Sequence, residues 1–597
     1  MSIANLERGL VAMDYQHFGR IAACIAWFAL AALLRTSYGV EPIDFLTITP
    51  ISDGNPATDD RGRANTHINS VAFKNQALTT VAGYQFTSYY DLTGKLVIAR
   101  RNLASSPTEW SLLRTQFSPV NINDAHDTSV IAVDGDGYLH VAWGVHGNPL
   151  YYTRSTTPLI NDLPMHVFGE TQGNSGDLNA IPLQGAGVTY PELYNVPGSG
   201  DLLLAYRTGS SGDGEYQLAR WNNTADAWTS VRTAVNALDS ASQQPWIDND
   251  YSGDSLPDVN AYLNGLTYDA AGRLHVTWTW RTGGDSLTQF KDYQSNHNIM
   301  YAYSDNNGVD WYRQDGARYE RNGAHDIDEN NAQPVVALPE GSSLINQTSS
   351  AVGPDGTYYM ATNYAPQAQQ GYHVRQVMLV EYDGQQWSTH QVSNRQIENG
   401  GNRVPEGDLS DFNLRRPLVA VDEHNRVFLV YSDHQRGGVV TVAYSESLAR
   451  DDWVTIDLTT DDMVRWDPKY DLNRWKNEGV FSLYYQPSFL DGTTASQVSI
   501  LDWDARNYFA SLQQTTLGDF NHNGVVDGAD YVVWRKGLGT KYTQNDYDSW
   551  RVNFGRTVDG DAIASGSSLS VVPEPATNVA LLTGILAIFR RRRFGPR

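Results

Sequence analysis

The chain has 597 residues, with 67 Asp and Glu against 43 Lys and Arg, a formal net charge of −24. That excess of negative charge excludes a general nucleic-acid binder, which needs a basic surface to neutralise phosphates. It also means that an anionic ligand must be met by local arginines or histidines. The 16 Trp and 34 Tyr suit stacking on sugar faces, although aromatics serve equally as core filling.

Residues 1–40 contain Arg20, the apolar run IAACIAWFALAALL and small residues near Ser37–Gly39. The run is too short for a bilayer span and has the length of a signal-peptide core. Residues 1–40 are therefore read as a signal peptide, and the protein as exported to the cell surface or beyond. Cys24, the single cysteine, lies in this segment, so the mature chain has neither a disulfide nor a cysteine-ligated metal.

Residues 41–515 read as all-β. ALTTVAGYQF, TSYYDL and KLVIARR supply the first strands, and a turn followed by a strand recurs at Gly137, Gly200, Gly272, Gly356 and Asn425. Each closes a β-hairpin that is apolar near its turn and polar or aromatic at its open end. No helical period intervenes, so the repeats are expected to be blades of a β-propeller whose equivalent ends gather on one face. Ser304–Tyr312, SDNNGVDWY, resembles the Asp-box turn of BNR-type propellers, with Asn306 where Asp is usual. That turn speaks to fold and not to activity.

Directly opposed residues of a hairpin share a sheet face, with Cβ atoms about 5 Å apart. In Asn123–Arg154 the turn at Asp134–Gly137 sets His140 against Ala132 and His146 against His126. The following hairpins set Tyr190 against Arg207, Tyr262 beside Trp280 and Arg281, Asn346 against Tyr364, and Arg415 against Asp433. A His and a Tyr can exchange protons with one substrate, and an Arg can hold a carboxylate bidentately. Those are the parts for β-elimination at a uronic acid, whose C5 proton is too weakly acidic to leave unless the enolate-like charge is stabilised. One of His126 and Tyr190 takes the proton and the other protonates the leaving oxygen. His140, His275 and Tyr138 read as structural, and Glu192 is a candidate structural partner for Arg207.

Three segments, DAHDTSVIAVDGDGYLHVAWGVHGNPLYY, VTYPELYNVPGSGDLLLAYRTGSSGDG and NAYLNGLTYDAAGRLHVTWTWR, closely resemble the BNR-repeat-containing family. That family includes seven-bladed propeller polysaccharide lyases acting on ulvan and on rhamnosyl-glucuronate linkages. The resemblance implies seven blades, an acidic polysaccharide substrate and catalytic roles for His126, Tyr190 and Arg207. His146, Tyr262 and Arg281 then stand as substrate-binding residues, with His297 either lining the site or structural. Some ulvan lyases carry a metal site that uses cysteine, which a cysteine-free mature chain cannot reproduce. The competing readings are a non-catalytic carbohydrate-binding propeller and a sialidase-like glycosidase. For the latter Arg207, Arg281 and Arg415 could form an arginine triad, but no carboxylate completes the set.

Residues 516–556 change character. GDFNHNGVVDGADYVVW places Asp519, Asn521, Asn523, Asp527 and Asp530 at the oxygen-ligand positions of an EF-hand loop. Gly524 sits at the sharp turn, and Val525 offers its carbonyl. Asp530 in place of the usual Glu resembles dockerin-type calcium repeats, implying a small α-helical calcium module and either a cohesin-like partner or a spacer role. The echo at Asp546–Gly555 lacks a ligand-rich loop, so one calcium is expected. Residues 557–597 carry Val572-Pro573-Glu574-Pro575, an apolar stretch over Val579–Phe589 and the cluster Arg590–Arg593. This order resembles a PEP-CTERM sorting tail and makes the tail the only expected contact with membrane.

Overall fold

The computed structural model describes residues 41–160, 187–209, 211, 214–231, 246–247, 259–282, 295–319, 327–367, 374–396, 414–463, 465–488, 494–513, 518–521, 523–539 and 541–556. The expected signal peptide and sorting tail lie outside the described residues. Phe45–Ala505 make one unit, and the chain from Arg506 belongs to a second.

In the first unit the strands build seven antiparallel sheets of three or more strands. The first six begin in turn with Leu78–Val81, Ser129–Val133, Val188–Asn195, Val259–Tyr268, Ser349–Val352 and Leu418–Val421. We number them blades 1 to 6. Blade 7 joins Val480–Tyr485 and Ser499–Asp504 to Leu46–Pro50 from the other end of the domain. This antiparallel pairing of early and late strands closes the ring, as in other propellers.

The period-2 pattern of each strand explains the stacking, because successive side chains point to opposite faces. In blade 2, Ile131, Val133, Leu139 and Val141 pack with Phe86 and Ile98 of blade 1. The alternate residues Val130, Ala132 and Ala142 pack with Leu202 and Leu204 of blade 3. Both faces are covered, so strands such as Leu202–Arg207 are buried along their whole length. Blade 1 meets blade 7 through Tyr89, Val97, Tyr484 and Ile500, and Phe428 of blade 6 meets Phe481 of blade 7 edge-on at 5.6 Å.

Seven blades and an all-β domain agree with expectation. The Asp-box-like turn also holds with Asn306: Ser304 Oγ accepts from the Gly308 N–H at 2.8 Å and Asn306 Oδ1 from the Asp310 N–H at 2.8 Å. One correction concerns the expected absence of helix. Leu472–Glu478 is an α-helix, capped by the Asp471 carboxylate and ended by Gly479 at φ 69°. Seven residues are too few to display a helical period. In the second unit, helices Gly528–Gly537 and Gln544–Asn553 follow the loop at Asp519–Asp527, the first held by a capping box between Asp527 and Asp530.

Candidate active site

Blade-opening segments bring the site together. A 3-10 turn, Ala125–Asp127, carries His126 just before the first strand of blade 2. His146 begins a short strand, His146–Asn148, which leaves blade 2 and pairs along the first strand of blade 3, with His146 opposite Thr189. Tyr190 lies in that strand and Arg207 ends the strand beside it. Tyr262 and Arg281 hold the matching positions in blade 4.

The expected pairing of Tyr190 with Arg207 is shifted by one residue: Thr189 opposes Arg207, and a bulge absorbs Tyr190 and Pro191 before Glu192 meets Ala205. Pro191 has no N–H to give the ladder, which is a physical reason for a bulge there. Tyr190 adopts φ 54°, a left-handed conformation uncommon for a bulky residue and costing roughly 1–3 kcal/mol. Packing must therefore hold it in place, and its ring is buried among Phe73, Val71, Ala72 and Tyr262.

The rings converge on one another. His126 stacks between Phe73, at 4.7 Å between centroids, and His146, at 4.1 Å. Tyr190 lies 5.7 Å from His126, 4.8 Å from Phe73 and 6.0 Å from Tyr262. The Arg207 guanidinium sits 4.9 Å from the Tyr190 ring centre and 5.3 Å from that of Tyr262. Arg281 lies 4.3 Å from the Tyr262 ring and donates from Nη1 to its hydroxyl at 3.1 Å. All six residues singled out in the propeller sequence therefore meet.

Exposure grades across this cluster. Tyr190, Tyr262 and Arg207 are 4%, 1% and 2% exposed, whereas the side chains of His126 and His146 are 32% and 39% exposed. Phenols and guanidinium make a floor, and the imidazoles stand at the rim. Burial pushes the Tyr190 hydroxyl well above the ordinary tyrosine range, with the neighbouring Tyr262 adding to the effect and Arg207, Arg281 and Arg416 opposing it. Burial also pulls His126 below 6.5, against the opposing bond to Asp124. The phenol is thus held protonated and the imidazole neutral.

Arg207 lacks the acidic partner considered for it. Glu192 instead accepts from the Tyr194 hydroxyl, and burial raises its carboxyl to about 7. Nε and Nη1 of Arg207 are buried without any hydrogen-bond partner. A buried cation with open donors is costly unless a ligand completes it.

Three contributors escaped the sequence reading. Asp124 accepts from Nδ1 of His126 at 2.5 Å and from Nδ1 of His146 at 2.8 Å; in NDAHD it resembles an ordinary turn residue. Phe73 comes from the segment before blade 1, where no hairpin register applies. Arg416, rather than Arg415, approaches the cluster, 5.5 Å from the Phe73 ring. Arg415 is buried and bonded to Asp467 at 2.8 Å, which removes it from the arginine triad of the sialidase reading. The expected structural histidines are bonded at both ring nitrogens: His140 to Tyr152 and Asp134, His275 to Tyr301 and Asp269. His297 pairs with Trp280 across blade 4 and bonds the Ser295 carbonyl at 3.0 Å.

Asp124, His126 and His146 offer ligand atoms all within 4.8 Å of one another. Their geometry does not suit a shared cation. The two imidazole planes are inclined by only 23°, so their in-plane lone pairs do not meet at a metal–nitrogen distance of about 2 Å.

In the second unit the calcium-type loop is folded on its own backbone. Asp519 accepts from the N–H groups of Asn523 and Gly524, and Asp530 from those of Asn521 and Asp527. Gly524 takes φ 79°, the conformation the sharp turn requires. Burial raises the Asp530 carboxyl to about 6, with Asp519 and Asp527 adding their negative charge. The donor set is all oxygen and short of positive charge, so the residues present fit a calcium ion.

A family model described as a BNR repeat-containing family member matches residues 84–395. No curated protein matches the chain. Among solved structures, the polysaccharide lyase Uly1 superposes with a TM-score of 0.53 at 11% identity, covering 76% of this chain and 98% of that one. A polysaccharide lyase of the PL25 ulvan lyase family gives 0.49 at 14% identity, covering 74% and 91%. The same kind of lyase bound to -[GlcA(1-4)Rha3S]- gives 0.48 at 15%, covering 69% and 87%.

Proposed function

We propose that this chain, which belongs to the BNR repeat-containing family, is a polysaccharide lyase that cleaves a rhamnose-uronate glycan of the ulvan type by β-elimination. The observation that carries this reading is Arg207: a buried guanidinium with open donors and no carboxylate partner among the described residues. A sugar carboxylate would complete it bidentately. Tyr190 and the His126 ring stand beside it, each held in the protonation state the reaction needs.

With the uronate carboxylate on Arg207, charge that develops when C5 loses its proton spreads into a carboxylate already neutralised. Neutral His126 takes the C5 proton. The electrons of the C5–H bond form the C4=C5 double bond, and those of the C4–O bond leave with the glycosidic oxygen. Tyr190, kept protonated by burial, donates its proton to that oxygen. No water enters. His146, Tyr262 and Arg281 contact the sugar around this centre, with Arg281 and Tyr262 holding each other through their hydrogen bond.

Mass analysis of the fragments released from a rhamnose-uronate polysaccharide tests the chemistry. Elimination gives fragments ending in an unsaturated uronate, each lighter by one water than its hydrolytic counterpart. A hydrolase would give saturated ends, and a binding module would give no fragments; either result would sink the proposal.

For the second unit, a calcium ion held by Asp519, Asn521, Asn523, Asp527, Asp530 and the Val525 carbonyl is part of the same reading. When bound, the ion would offset the clustered carboxylates and fix the loop at the head of helix Gly528–Gly537. Export to the cell surface, with anchoring through the C-terminal tail and a cohesin-like partner for the calcium module, completes it.

A further inference from the structure

Two histidines at the site share one carboxylate, and the manner of sharing has chemical content. Asp124 occupies the N-cap position of the turn Ala125–Asp127, where its side chain accepts from the His126 backbone N–H at 3.0 Å. The same carboxylate reaches both rings through Nδ1 and neither through Nε2. An ionised carboxylate has only lone pairs to offer, so each of these contacts requires an N–H on the ring nitrogen. Hydrogen bonds from His126 and His146 outweigh burial and hold the Asp124 carboxyl far below its ordinary range, so it is ionised at neutral pH.

We infer that Asp124 is a positioning residue that fixes both His126 and His146 as Nδ1–H tautomers, leaving each Nε2 bare to accept a proton. The inference rests on the lyase reading for its catalytic consequence, but the tautomer assignment does not. In the elimination, the imidazolium that forms when His126 takes the C5 proton is stabilised by the carboxylate already bonded to its far nitrogen. The groups facing the pair are few. Arg207 from blade 3 disfavours a proton on His126, His146 does the same when charged, and Asp124 favours it. Asp127 lies on the same turn, its carboxyl raised to about 6 by burial, with Asp124 adding to the rise. The neutral rings of Phe73 and Tyr190 complete the surround.

Asp124→Asn is the informative change, because Asn also caps such turns and preserves the fold. An amide can accept one Nδ1–H through its oxygen, but its NH2 must donate to the other ring and forces that ring into the Nε2–H tautomer. The expected kcat loss is on the order of 10²–10⁴-fold, as for other enzymes whose histidine is turned to the wrong tautomer, with KM little changed. Loss of the carboxylate charge also lowers the proton affinity of His126, so the acid limb of the rate profile moves to lower pH. Asp124→Glu, which restores the charge, should return part of kcat and bring the limb back.

Nitrogen NMR of imidazole-labelled full-length protein reads the tautomers directly. Two rings protonated at Nδ1 in the wild type, with at least one switched in Asp124→Asn, support the inference. Nε2–H rings in the wild type, or an Asn variant with unchanged kcat and acid limb, would overturn it. Should neither protein yield unsaturated product while the Nδ1–H signals are present, the lyase reading fails and the tautomer assignment stands.

Discussion

His140 and His275 sit at the same place in blades 2 and 4, each bonded to a tyrosine hydroxyl on the next strand and to an aspartate in the adjoining turn. His126 and His146 flank His140 in the same hairpin, yet among the described residues nothing in blade 4 repeats them: Tyr262 and Arg281 occupy that end instead. The comparison separates two uses of one residue type. Where a polar cluster recurs, as in blades 2 and 4, it solves a packing problem those blades share. Where the repeat breaks, at the strand openings of blades 2, 3 and 4, the polar groups are only partly paired, and Arg207 is left with open donors.

Substitutions at the two ends should divide accordingly. Tyr190→Phe and His126→Ala remove proton transfer and should each lower kcat by about 10²–10⁴-fold, while unfolding midpoints stay near that of the wild type. Arg207→Lys keeps a charge but loses the planar fork, for an expected fall in kcat/KM of about 10²–10³-fold. His140→Ala should do the opposite. It takes one partner each from the buried Asp134 carboxylate and Tyr152 hydroxyl and leaves a cavity between the strands, at a cost of about 3 kcal/mol in denaturant unfolding, with kcat per folded molecule unchanged. If His140→Ala lost kcat without losing stability, the division would collapse.

The pH profile sharpens the same contrast. His126 must be neutral to accept a proton, and burial lowers its affinity for one. Activity should therefore persist below pH 6.5 before falling as His126 becomes charged. The Tyr190 hydroxyl, raised by burial, should hold the alkaline limb above pH 10. A neutral-to-acid limb centred above 6.5 would argue that another group is the base.

The smallest effect on turnover is expected from the calcium-type loop. Asp519→Ala should abolish calcium binding by the second unit, read by calorimetry, and leave the elimination rate as it was. Without calcium, Asp530 has a folded pKa near 6, above its ordinary 3.8. The folded loop then binds more protons than the unfolded one between those values, and its stability falls as pH rises through that window. Calcium should restore stability at neutral pH. A loss of lyase activity in Asp519→Ala would contradict the independence of the two units' functions.

Hairpin arithmetic made much of this legible, because a period of two fixes which residues share a face once a turn is located. It located Tyr190 within one residue of its partner and missed the bulge that Pro191 introduces. For His146 it reached the right neighbour by the wrong path. The chain leaves blade 2 after Gly144, whose φ of 65° and close approach to Pro119 tolerate no side chain, and joins blade 3. The arithmetic sets Arg415 against Asp433, whereas Leu414 pairs with Asp433 and Arg416 lies near the cluster, a one-residue difference that changes the face presented. Phe73 and Asp124 come from connecting segments, where no periodicity constrains position, and only three-dimensional closure of the ring brings them in.

The most direct measurement is ultraviolet absorbance during incubation of the full-length protein with ulvan or a related rhamnose-uronate polysaccharide. The account predicts a steady rise from the conjugated uronate double bond with the wild type and none with Tyr190→Phe. Depolymerisation that generates new reducing ends without that chromophore, or an equal rise with the Phe variant, would contradict it.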